Sequence, residues 1–215
     1  MKRSLLRGLY CITDPLLTRD SAFTLVQMVA QAISGGARII QYRDKTVTSG
    51  EALTTVRALV ELCHAHDVLL LVNDDPHLAL AAGADGVHLG QSDTGLQAAR
   101  ALLGPNKVIG ITCHSDIDLA LRAEQQGADY VAFGRFFTSQ TKPLAPAASQ
   151  AILTQLNRLS IPVAAIGGIR PDNATPLLQA GVSMLAVIHA VFGQADITAA
   201  AAGFRKLFDQ PGKET

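Results

Sequence analysis

The chain has no tryptophan, only three cysteines and a formal net charge of zero, and charged residues occupy only 17% of its 215 positions. A balanced charge offers nucleic acid or an anionic membrane nothing to bind through bulk electrostatics, so we predict neither as a partner. The cysteines, Cys11, Cys63 and Cys113, lack CxxC spacing, which argues against a disulfide framework or a thiolate zinc site. We therefore predict a protein of the reducing cytoplasm.

Long apolar runs are also missing. The basic N-terminus is followed by a short apolar run that stops at Asp14, which is not typical of a signal peptide. No run approaches the length needed to span a membrane. The chain is nevertheless 48% hydrophobic and only 5% aromatic, which indicates one large aliphatic core with strands buried on both faces.

Short apolar runs alternate with longer segments of helical period. We predict eight strands, at 8–13, 37–43, 69–73, 86–90, 107–113, 130–134, 162–167 and 184–189. Helices are predicted at 23–34, 49–65, 77–82, 95–103, 116–126, 147–159, 172–180 and 196–208. Eight strands alternating with helices, without a linker, predict an α/β fold: a (β/α)8 TIM barrel with a parallel closed sheet, forming one domain over residues 1–215.

A glycine lies shortly before each even-numbered strand, at Gly36, Gly83, Gly127 and Gly181. Glycine at such a position fits a left-handed helix cap, so this weak repeat favours barrel topology and is not a functional motif. A doubly wound open sheet is the structural alternative. Such a sheet normally carries a glycine-rich phosphate loop after its first strand, whereas residues 13–15 contain no glycine.

In a TIM barrel, the loops after the carboxyl ends of the strands carry the chemistry. The second strand ends in a polar stretch made of Gln41, Tyr42, Arg43, Asp44 and Lys45. Alternate residues of a strand share a face, so Gln41, Arg43 and Lys45 are expected to converge, as an amide and two cations that suit a phosphate or diphosphate. The plainer alternative pairs both cations with Asp44 and with solvent charges, and the pentapeptide alone favours that alternative.

Carboxylates follow the next two strands. Asp74 and Asp93 are predicted to face one space, where they would repel each other unless a cation lay between them. A hard cation held by one or two carboxylates and by substrate phosphate oxygens is the usual arrangement for Mg²⁺. The alternative makes Asp74 or Asp75 a helix cap before Pro76, but that alternative does not account for Asp93.

Polar groups on the far side of the rim indicate a second anion site. Gly167 and Gly168 after the seventh strand, with the amides after the eighth, fit the recurrent phosphate site of TIM barrels. The hydroxyls of Ser139 and Thr141 strengthen this prediction.

Three residues on the strands invite a different catalytic interpretation. Cys113 and His114 are neighbours, but neighbours on a strand point to opposite faces, so we do not predict a Cys/His nucleophile. His88 alternates with apolar residues, which is typical of a core histidine or of one that supports residues touching a substrate.

Taken in order, these motifs resemble the thiamine phosphate synthase family, also called thiamine phosphate pyrophosphorylase, from Leu9 to about Phe208. The motifs that carry the resemblance lie at 41–45, 72–75, 86–93, 131–134, 141–142 and 166–169. The resemblance implies a TIM-barrel transferase of thiamine biosynthesis with Mg²⁺ as its cofactor. Such an enzyme joins 4-amino-2-methyl-5-(diphosphooxymethyl)pyrimidine to 4-methyl-5-(2-phosphooxyethyl)thiazole, or to the carboxylated tautomer of that thiazole. The joining proceeds by dissociative loss of diphosphate, and the products are thiamine phosphate and diphosphate. The sequence leaves open a homo-oligomer.

The resemblance also implies a role for individual residues. The pyrimidine diphosphate would contact Gln41, Tyr42, Arg43, Asp44, Lys45, Asn73, Thr112 and Lys142. The thiazole phosphate would contact Ser139, Gln140, Thr141, Gly168, Ile188 and His189. Asp74 and Asp93 would hold Mg²⁺, and the catalytic cations would be Arg43, Lys45 and Lys142.

Three positions depart from the commonest family pattern. Thr138 stands where proline is common, Thr112 where serine is frequent, and His189 where a serine often follows the isoleucine of the last strand. The first two keep a hydroxyl or a backbone donor available. His189 puts in doubt only a side-chain hydroxyl contact.

Two other functions remain open from the sequence. A thiazole tautomerase would bind a similar thiazole phosphate but transfer only a proton, and would need no diphosphate or metal. A phosphate-ligand sensor on the same scaffold would catalyse nothing. The cations at 41–45 together with Asp74, Asp93 and Lys142 argue against the tautomerase.

Overall fold

Eight parallel strands close into a barrel in chain order. The computed structural model describes residues 5–19, 21–138 and 146–209. The strands are β1 (Gly8–Ile12), β2 (Ala37–Tyr42), β3 (Leu69–Asn73), β4 (Gly86–Leu89), β5 (Val108–Thr112), β6 (Tyr130–Gly134), β7 (Val163–Ile166) and β8 (Met184–Val187). Each strand pairs with the next, and β8 closes on β1 with Val187 beside Cys11. The predicted (β/α)8 TIM barrel is confirmed.

Helices surround the barrel. They are α1 (Pro15–Arg19), α2 (Leu25–Ser34), α3 (Ser49–His64), α4 (Pro76–Ala82), α5 (Leu96–Leu103), α6 (Ile117–Gln125), α7 (Thr175–Gln179), α8 (His189–Phe192) and α9 (Ile197–Asp209). Among the described residues, no helix combines the length and the apolar character needed to cross a membrane.

Two apolar layers bury both faces of the strands. Along β1, Leu9 and Cys11 belong to the larger layer between the barrel and the helices, whereas Tyr10 and Ile12 belong to the smaller layer inside the barrel. This alternation explains the nearly continuous apolar runs of the sequence, because a strand buried on both faces has no polar side. The same parity sends the last residues of several strands into the barrel mouth.

The glycines before the even-numbered strands adopt the conformation that the sequence predicts. Gly36, Gly83, Gly127 and Gly181 have φ angles of 108°, 78°, 92° and 97°. These left-handed values are favourable only without a Cβ atom, so the repeat marks the turns that lead from helices into strands.

The predicted α-helix at 147–159 is wrong in type and in its start. The structure has a 3₁₀ helix at Gln150–Arg158. Two hydrogen bonds hold the residues before it outside the helix: Ala148 N–H donates to the Arg135 carbonyl from 2.7 Å, and Ser149 N–H donates to Ser115 Oγ from 2.9 Å. Tertiary contacts therefore delay the helix beyond the point where periodicity places it.

Two short helices were not predicted. Helix α1 follows Asp14, whose Oδ1 accepts from Leu16 N–H at 3.1 Å, and Pro15 occupies the first helical position. An acidic residue before a proline is a helix-start signal that the sequence contains. Helix α8 begins at His189, which was predicted to lie in the last strand.

Gly86 lets β4 approach β5 closely. A Cβ atom at this position would lie 1.9 Å from the Val108 carbonyl oxygen, and that backbone atom cannot move without disturbing the sheet. We expect Gly86→Ala to lower the free energy of unfolding by about 1–3 kcal/mol, measured by urea denaturation. Gly50 on α3 has open space around it, so Gly50→Ala is the matched control and should leave stability unchanged or raise it by about 0.5–1 kcal/mol. Equal effects of the two substitutions would contradict this account of the β4–β5 contact.

Candidate active site

The carboxyl ends of the strands meet at one rim. Gln41, Asn73 and Thr112 share strand parity with the residues that fill the barrel interior, so their side chains lie in the barrel mouth. Ile188 packs against the same inner layer. The predicted site residues Ser139, Gln140, Thr141 and Lys142 lie outside the described residues.

Asp74 and Asp93 lie side by side on this rim. Burial alone would raise the pKa of Asp74, but hydrogen bonds with Lys45 and Asp93 hold that pKa below its ordinary value. Burial and the adjoining Asp74 carboxyl raise the pKa of Asp93, although Gly90 N–H donates to Asp93 Oδ2 from 2.7 Å. Two neighbouring carboxyl groups repel each other when both are charged, so the pKa of one is lowered and the pKa of the other is raised.

Asp75, and not Asp74, is the cap of helix α4. Its Oδ1 accepts from Leu78 N–H at 2.9 Å, and its Oδ2 accepts from the Ser49 hydroxyl. Asp74 has a left-handed backbone with φ of 65°, which turns it away from the helix. The sequence left open which acid caps the helix, and the structure leaves Asp74 available to a ligand.

Lys45 places a cation beside the acid pair. Its Nζ lies 2.8 Å from Asp74 Oδ2, and its side chain is 60% exposed. An ion pair this exposed contributes little to stability, because water screens it and the long side chain loses entropy. Lys45 is therefore able to exchange Asp74 for an incoming anion at small cost.

The donor set of the acid pair fits Mg²⁺. Within the described ranges, no group of three or more His, Cys, Asp and Glu side chains is arranged to hold a metal ion. Mg²⁺ does not need such a cage, since it usually binds one or two carboxylates and completes its octahedron with water and substrate phosphate oxygens. Asp74 and Asp93 would supply two hard oxygen ligands of this kind.

Arg43 is anchored through its backbone. Its N–H donates to Thr13 Oγ1 from 2.8 Å, and the Thr13 hydroxyl lies 3.1 Å from its carbonyl oxygen. Its side chain lines a cavity of about 340 Å³ beside β2, together with Arg19 and Glu51. The rim position of this residue is thus set by the main chain.

Gln41, Arg43 and Lys45 do not form one cluster in this structure. Gln41 is 2% exposed and bonds to Tyr10 inside the barrel, whereas Lys45 pairs with Asp74. Strand β2 ends at Tyr42, so the alternation expected from the sequence does not continue to Lys45. The predicted convergence of Gln41 and Lys45 is therefore not present in this structure.

Tyr42 and Asp44 have structural contacts of their own. Tyr42 is 5% exposed, and burial together with Asp44 raises its pKa to about 12. Asp44 Oδ1 accepts from Thr46 N–H at 2.8 Å, which forms a turn after the strand. Their predicted contacts with the pyrimidine diphosphate remain predictions.

The glycines after β7 allow two loops to pack closely. A Cβ atom at Gly168 would lie 2.2 Å from the Thr138 carbonyl oxygen, and Gly168 has φ of 63°. Phe137 N–H donates to the Gly167 carbonyl from 2.9 Å. Gly168 is thus required at this position on steric grounds, whether or not it also binds a phosphate.

The residues after β8 begin helix α8. Ile188 precedes its first residue, His189, and the His189 carbonyl accepts from Gln194 Nε2 at 3.0 Å. The Val191 and Phe192 amides donate to the Ile188 carbonyl from 3.1 and 2.9 Å, which closes the first turn of this short helix. The predicted thiazole-phosphate residues Gly168, Ile188 and His189 all lie on this part of the rim.

Cys113 and His114 are not a catalytic pair. The Cys113 thiol is buried in the outer layer, and burial raises its pKa to about 12. A thiol with such a pKa stays protonated and is a poor nucleophile at neutral pH.

Sequence reasoning missed Tyr10 and Tyr130, whose hydroxyls lie inside the barrel 2.9 Å apart. His88 joins them through a 2.7 Å contact between its Nδ1 and Tyr130 Oη. The alternation of side chains along β1 and β6 was enough to place both tyrosines inside the barrel. It did not indicate a functional role, because aromatic residues on apolar strands normally belong to the core.

Comparisons with known proteins agree on one family. The family described as thiamine monophosphate synthase matches residues 9–191. The thiamine-phosphate synthase of Alcanivorax borkumensis is 53% identical, with 94% of this chain and 93% of that protein covered. The thiamine-phosphate synthase of Marinobacter nauticus is 52% identical, with 94% and 90% covered.

Solved structures extend the agreement to the fold. The thiamine phosphate pyrophosphorylase of Pyrococcus furiosus superimposes with a TM-score of 0.86 at 37% identity, covering 96% of this chain and 97% of that one. A thiamine phosphate pyrophosphorylase from Bacteroides thetaiotaomicron, with a TM-score of 0.70 at 16% identity over 95% and 99% of the two chains, shares the fold. The chain belongs to the thiamine-phosphate synthase family.

Proposed function

We propose that this chain is a thiamine-phosphate synthase of thiamine biosynthesis. It would condense 4-amino-2-methyl-5-(diphosphooxymethyl)pyrimidine with 4-methyl-5-(2-phosphooxyethyl)thiazole to give thiamine phosphate and diphosphate. With the carboxylated tautomer of the thiazole, the reaction would also release the carboxyl group as carbon dioxide. We further propose that the chain acts as one barrel domain in the cytoplasm. Family membership over most of the chain supports the reaction. The observation that carries the assignment to this rim is the adjoining pair Asp74 and Asp93 with Lys45 beside them.

The chemistry sets what the protein has to stabilise. Loss of diphosphate breaks the bond between the methylene carbon and oxygen, and both electrons leave with the oxygen. The resulting pyrimidinylmethyl cation is stabilised by its electron-donating amino group. The thiazole nitrogen then supplies the electron pair of the new carbon–nitrogen bond. Because the pyrimidine stabilises its own cation, the protein mainly has to stabilise the departing anion.

Three cationic side chains, Arg43, Lys45 and Lys142, are proposed to stabilise the departing diphosphate. Lys45 would leave Asp74 and bind the diphosphate, which its exposed ion pair permits. Mg²⁺, held by Asp74 and Asp93, would neutralise further charge on the diphosphate. Gln41, Tyr42, Asp44, Asn73 and Thr112 are proposed to hold the rest of this substrate.

The thiazole phosphate is proposed to bind across the rim. Gly168, Ile188 and His189 would bind its phosphate with backbone amides, and Ser139, Gln140 and Thr141 would complete that site. Fixing the phosphate in this way positions the thiazole nitrogen next to the methylene carbon, so the two substrates react as one bound pair.

Diphosphate release by the purified chain tests this proposal. We expect rapid release when both substrates and Mg²⁺ are present, and little release when either substrate is omitted or when excess chelator is added. A tautomerase would change the thiazole phosphate without releasing diphosphate, and a sensor would bind ligands without any turnover. Either of those outcomes would overturn the proposed function.

A further inference from the structure

A line of polar side chains crosses the otherwise apolar interior of the barrel. Gln41 Nε2 donates to Tyr10 Oη, and Tyr10 Oη lies 2.9 Å from Tyr130 Oη. Tyr130 Oη lies 2.7 Å from His88 Nδ1, and His88 Nε2 lies 2.8 Å from Thr112 Oγ1. The line therefore joins two residues on the rim, Gln41 and Thr112, through three residues beneath them.

The packing fixes this geometry. Tyr10 and Tyr130 are 1% and 0% exposed, and burial raises the pKa of both phenols, so both keep their protons. The His88 ring stacks on Tyr130 with centroids 5.6 Å apart. Gly110 makes room for the phenol, because a Cβ atom there would lie 2.0 Å from Tyr130 Cζ. The tyrosine hydroxyls thus have little freedom to find other partners.

The donors and acceptors along these four hydrogen bonds can be arranged in only two ways that satisfy every group. Each hydroxyl has one proton to donate, and a neutral imidazole also has one, so reversing one hydrogen bond reverses all of them. In the first direction, the Gln41 amide donates to Tyr10, Tyr10 to Tyr130, Tyr130 to His88, and His88 to Thr112. In the second, every donor and acceptor is reversed, and Gln41 presents its carbonyl oxygen to Tyr10. A mixed direction would leave a buried proton without an acceptor.

Gln41 Nε2 lies against Tyr10 Oη, and this placement of the amide corresponds to the first direction. Gln41 Oε1 has no hydrogen bond to any described residue. Because no fully buried side-chain nitrogen or oxygen lacks a partner among these residues, Oε1 must be the exposed atom of an otherwise buried side chain. Oε1 is thus left to accept from a ligand in the barrel mouth. In this direction, the Thr112 hydroxyl at the other end accepts from His88 Nε2, 2.8 Å away, and keeps its own proton for donation.

We propose that Tyr10, Tyr130 and His88 are positioning residues that lock this direction and so select an aminopyrimidine over a ring carrying oxygen at the same position. The exocyclic amino group would donate to Gln41 Oε1, and the Thr112 hydroxyl would donate to a ring nitrogen or a phosphate oxygen of the same substrate. The oxygen of a 4-oxo ring is an acceptor, and so is Gln41 Oε1, so the two atoms cannot form a hydrogen bond. The 4-oxo ring could bind there only if all four hydrogen bonds reversed and Gln41 presented its amide N–H instead. This inference rests on the proposed function, which puts the pyrimidine diphosphate at this site.

The test compares the binding of two ligands to the purified chain with Mg²⁺ and without the thiazole phosphate. The ligands are the 4-amino and 4-oxo forms of the pyrimidinylmethyl diphosphate, and calorimetry gives both dissociation constants. In Tyr130→Phe, the Tyr10 proton loses its acceptor and turns to Gln41 Oε1, which rotates the amide. We expect the wild-type preference for the amino form to fall roughly tenfold or more, although Tyr130 reaches Gln41 only through the Tyr10 hydroxyl in this line of hydrogen bonds.

Ile39→Val is the control for packing. Ile39 lies on the same strand as Gln41, is 0% exposed and belongs to the inner layer, but its side chain makes no hydrogen bonds. This substitution should lower Tm and leave the ligand preference at the wild-type value. Tyr10→Phe removes the hydroxyl that fixes the orientation of the Gln41 amide. This variant therefore provides a second measurement of the ligand preference if Tyr130→Phe folds poorly.

The outcomes separate this inference from the proposed function. A wild-type chain that releases diphosphate, with both tyrosine variants keeping the wild-type preference, would overturn the positioning role alone. A wild-type chain that neither binds the amino form nor releases diphosphate would overturn the proposed function and the inference that rests on it. Relaxed preference in both tyrosine variants, but not in Ile39→Val, is the expected result.

Discussion

Replacing Arg43 with methionine is expected to lower turnover by roughly 30- to 1000-fold, which corresponds to the loss of a charged hydrogen bond of about 2–4 kcal/mol in a dry site. The contact should strengthen as diphosphate departs, so kcat should fall and not only substrate affinity. Steady-state kinetics with both substrates measures this directly.

The structure indicates that the Arg43 side chain can be replaced without disturbing the contacts that hold its backbone. The Thr13 hydroxyl holds the backbone of Arg43 through two contacts, and neither contact involves the Arg43 side chain. Arg43→Met should therefore lose the charge while Tm stays near the wild-type value. Arg43→Lys keeps the charge but loses the planar fork of donors, so it should show a smaller fall. If Arg43→Met unfolded the protein while the folded fraction turned over normally, Arg43 would be a structural residue.

Replacing either rim acid with asparagine should impair the use of Mg²⁺. The shapes are retained: Asp74 has a left-handed backbone, which asparagine tolerates, and in Asp93→Asn the side-chain carbonyl could still accept from Gly90. The charge is lost, so we expect turnover to fall roughly 100-fold and the Mg²⁺ concentration for half-maximal rate to rise about tenfold. Rates measured over a Mg²⁺ titration test both effects.

Stability should move differently from activity in these variants. Burial and the Asp74 carboxyl raise the pKa of Asp93, so ionising this carboxyl costs more free energy in the folded protein than in the unfolded chain. Asp93→Asn should therefore keep or raise Tm while activity falls. Asp75→Ala is the neighbouring control: it removes a helix cap, so it should lower stability by about 0.5–2 kcal/mol and leave the Mg²⁺ dependence unchanged. Undiminished wild-type turnover in excess chelator would contradict the metal assignment.

Periodicity located the strands because each buries both faces and ends at a turn. The left-handed glycines at the helix ends were predictable for the same reason, since only that residue fits the turn without strain. The 3₁₀ helix at Gln150–Arg158 was not predictable, because contacts with Arg135 and Ser115 from distant parts of the chain set its start.

The site was predictable only as far as strand parity holds. Parity placed Gln41 and Thr112 in the barrel mouth, but it does not apply to Lys45, three residues past the end of β2. Local sequence also could not choose between Asp74 and Asp75 as the helix cap, because either acid precedes Pro76 closely enough. The backbone conformation of Asp74 decides that question.

The most direct test of the central claim is the identity and ratio of the phosphorus-containing products. Phosphorus NMR of the purified chain with both substrates and Mg²⁺ should show diphosphate and thiamine phosphate appearing in equal amounts, with both signals absent when either substrate is omitted. Consumption of the thiazole phosphate without diphosphate, or hydrolysis of the pyrimidine diphosphate without thiamine phosphate, would contradict the account.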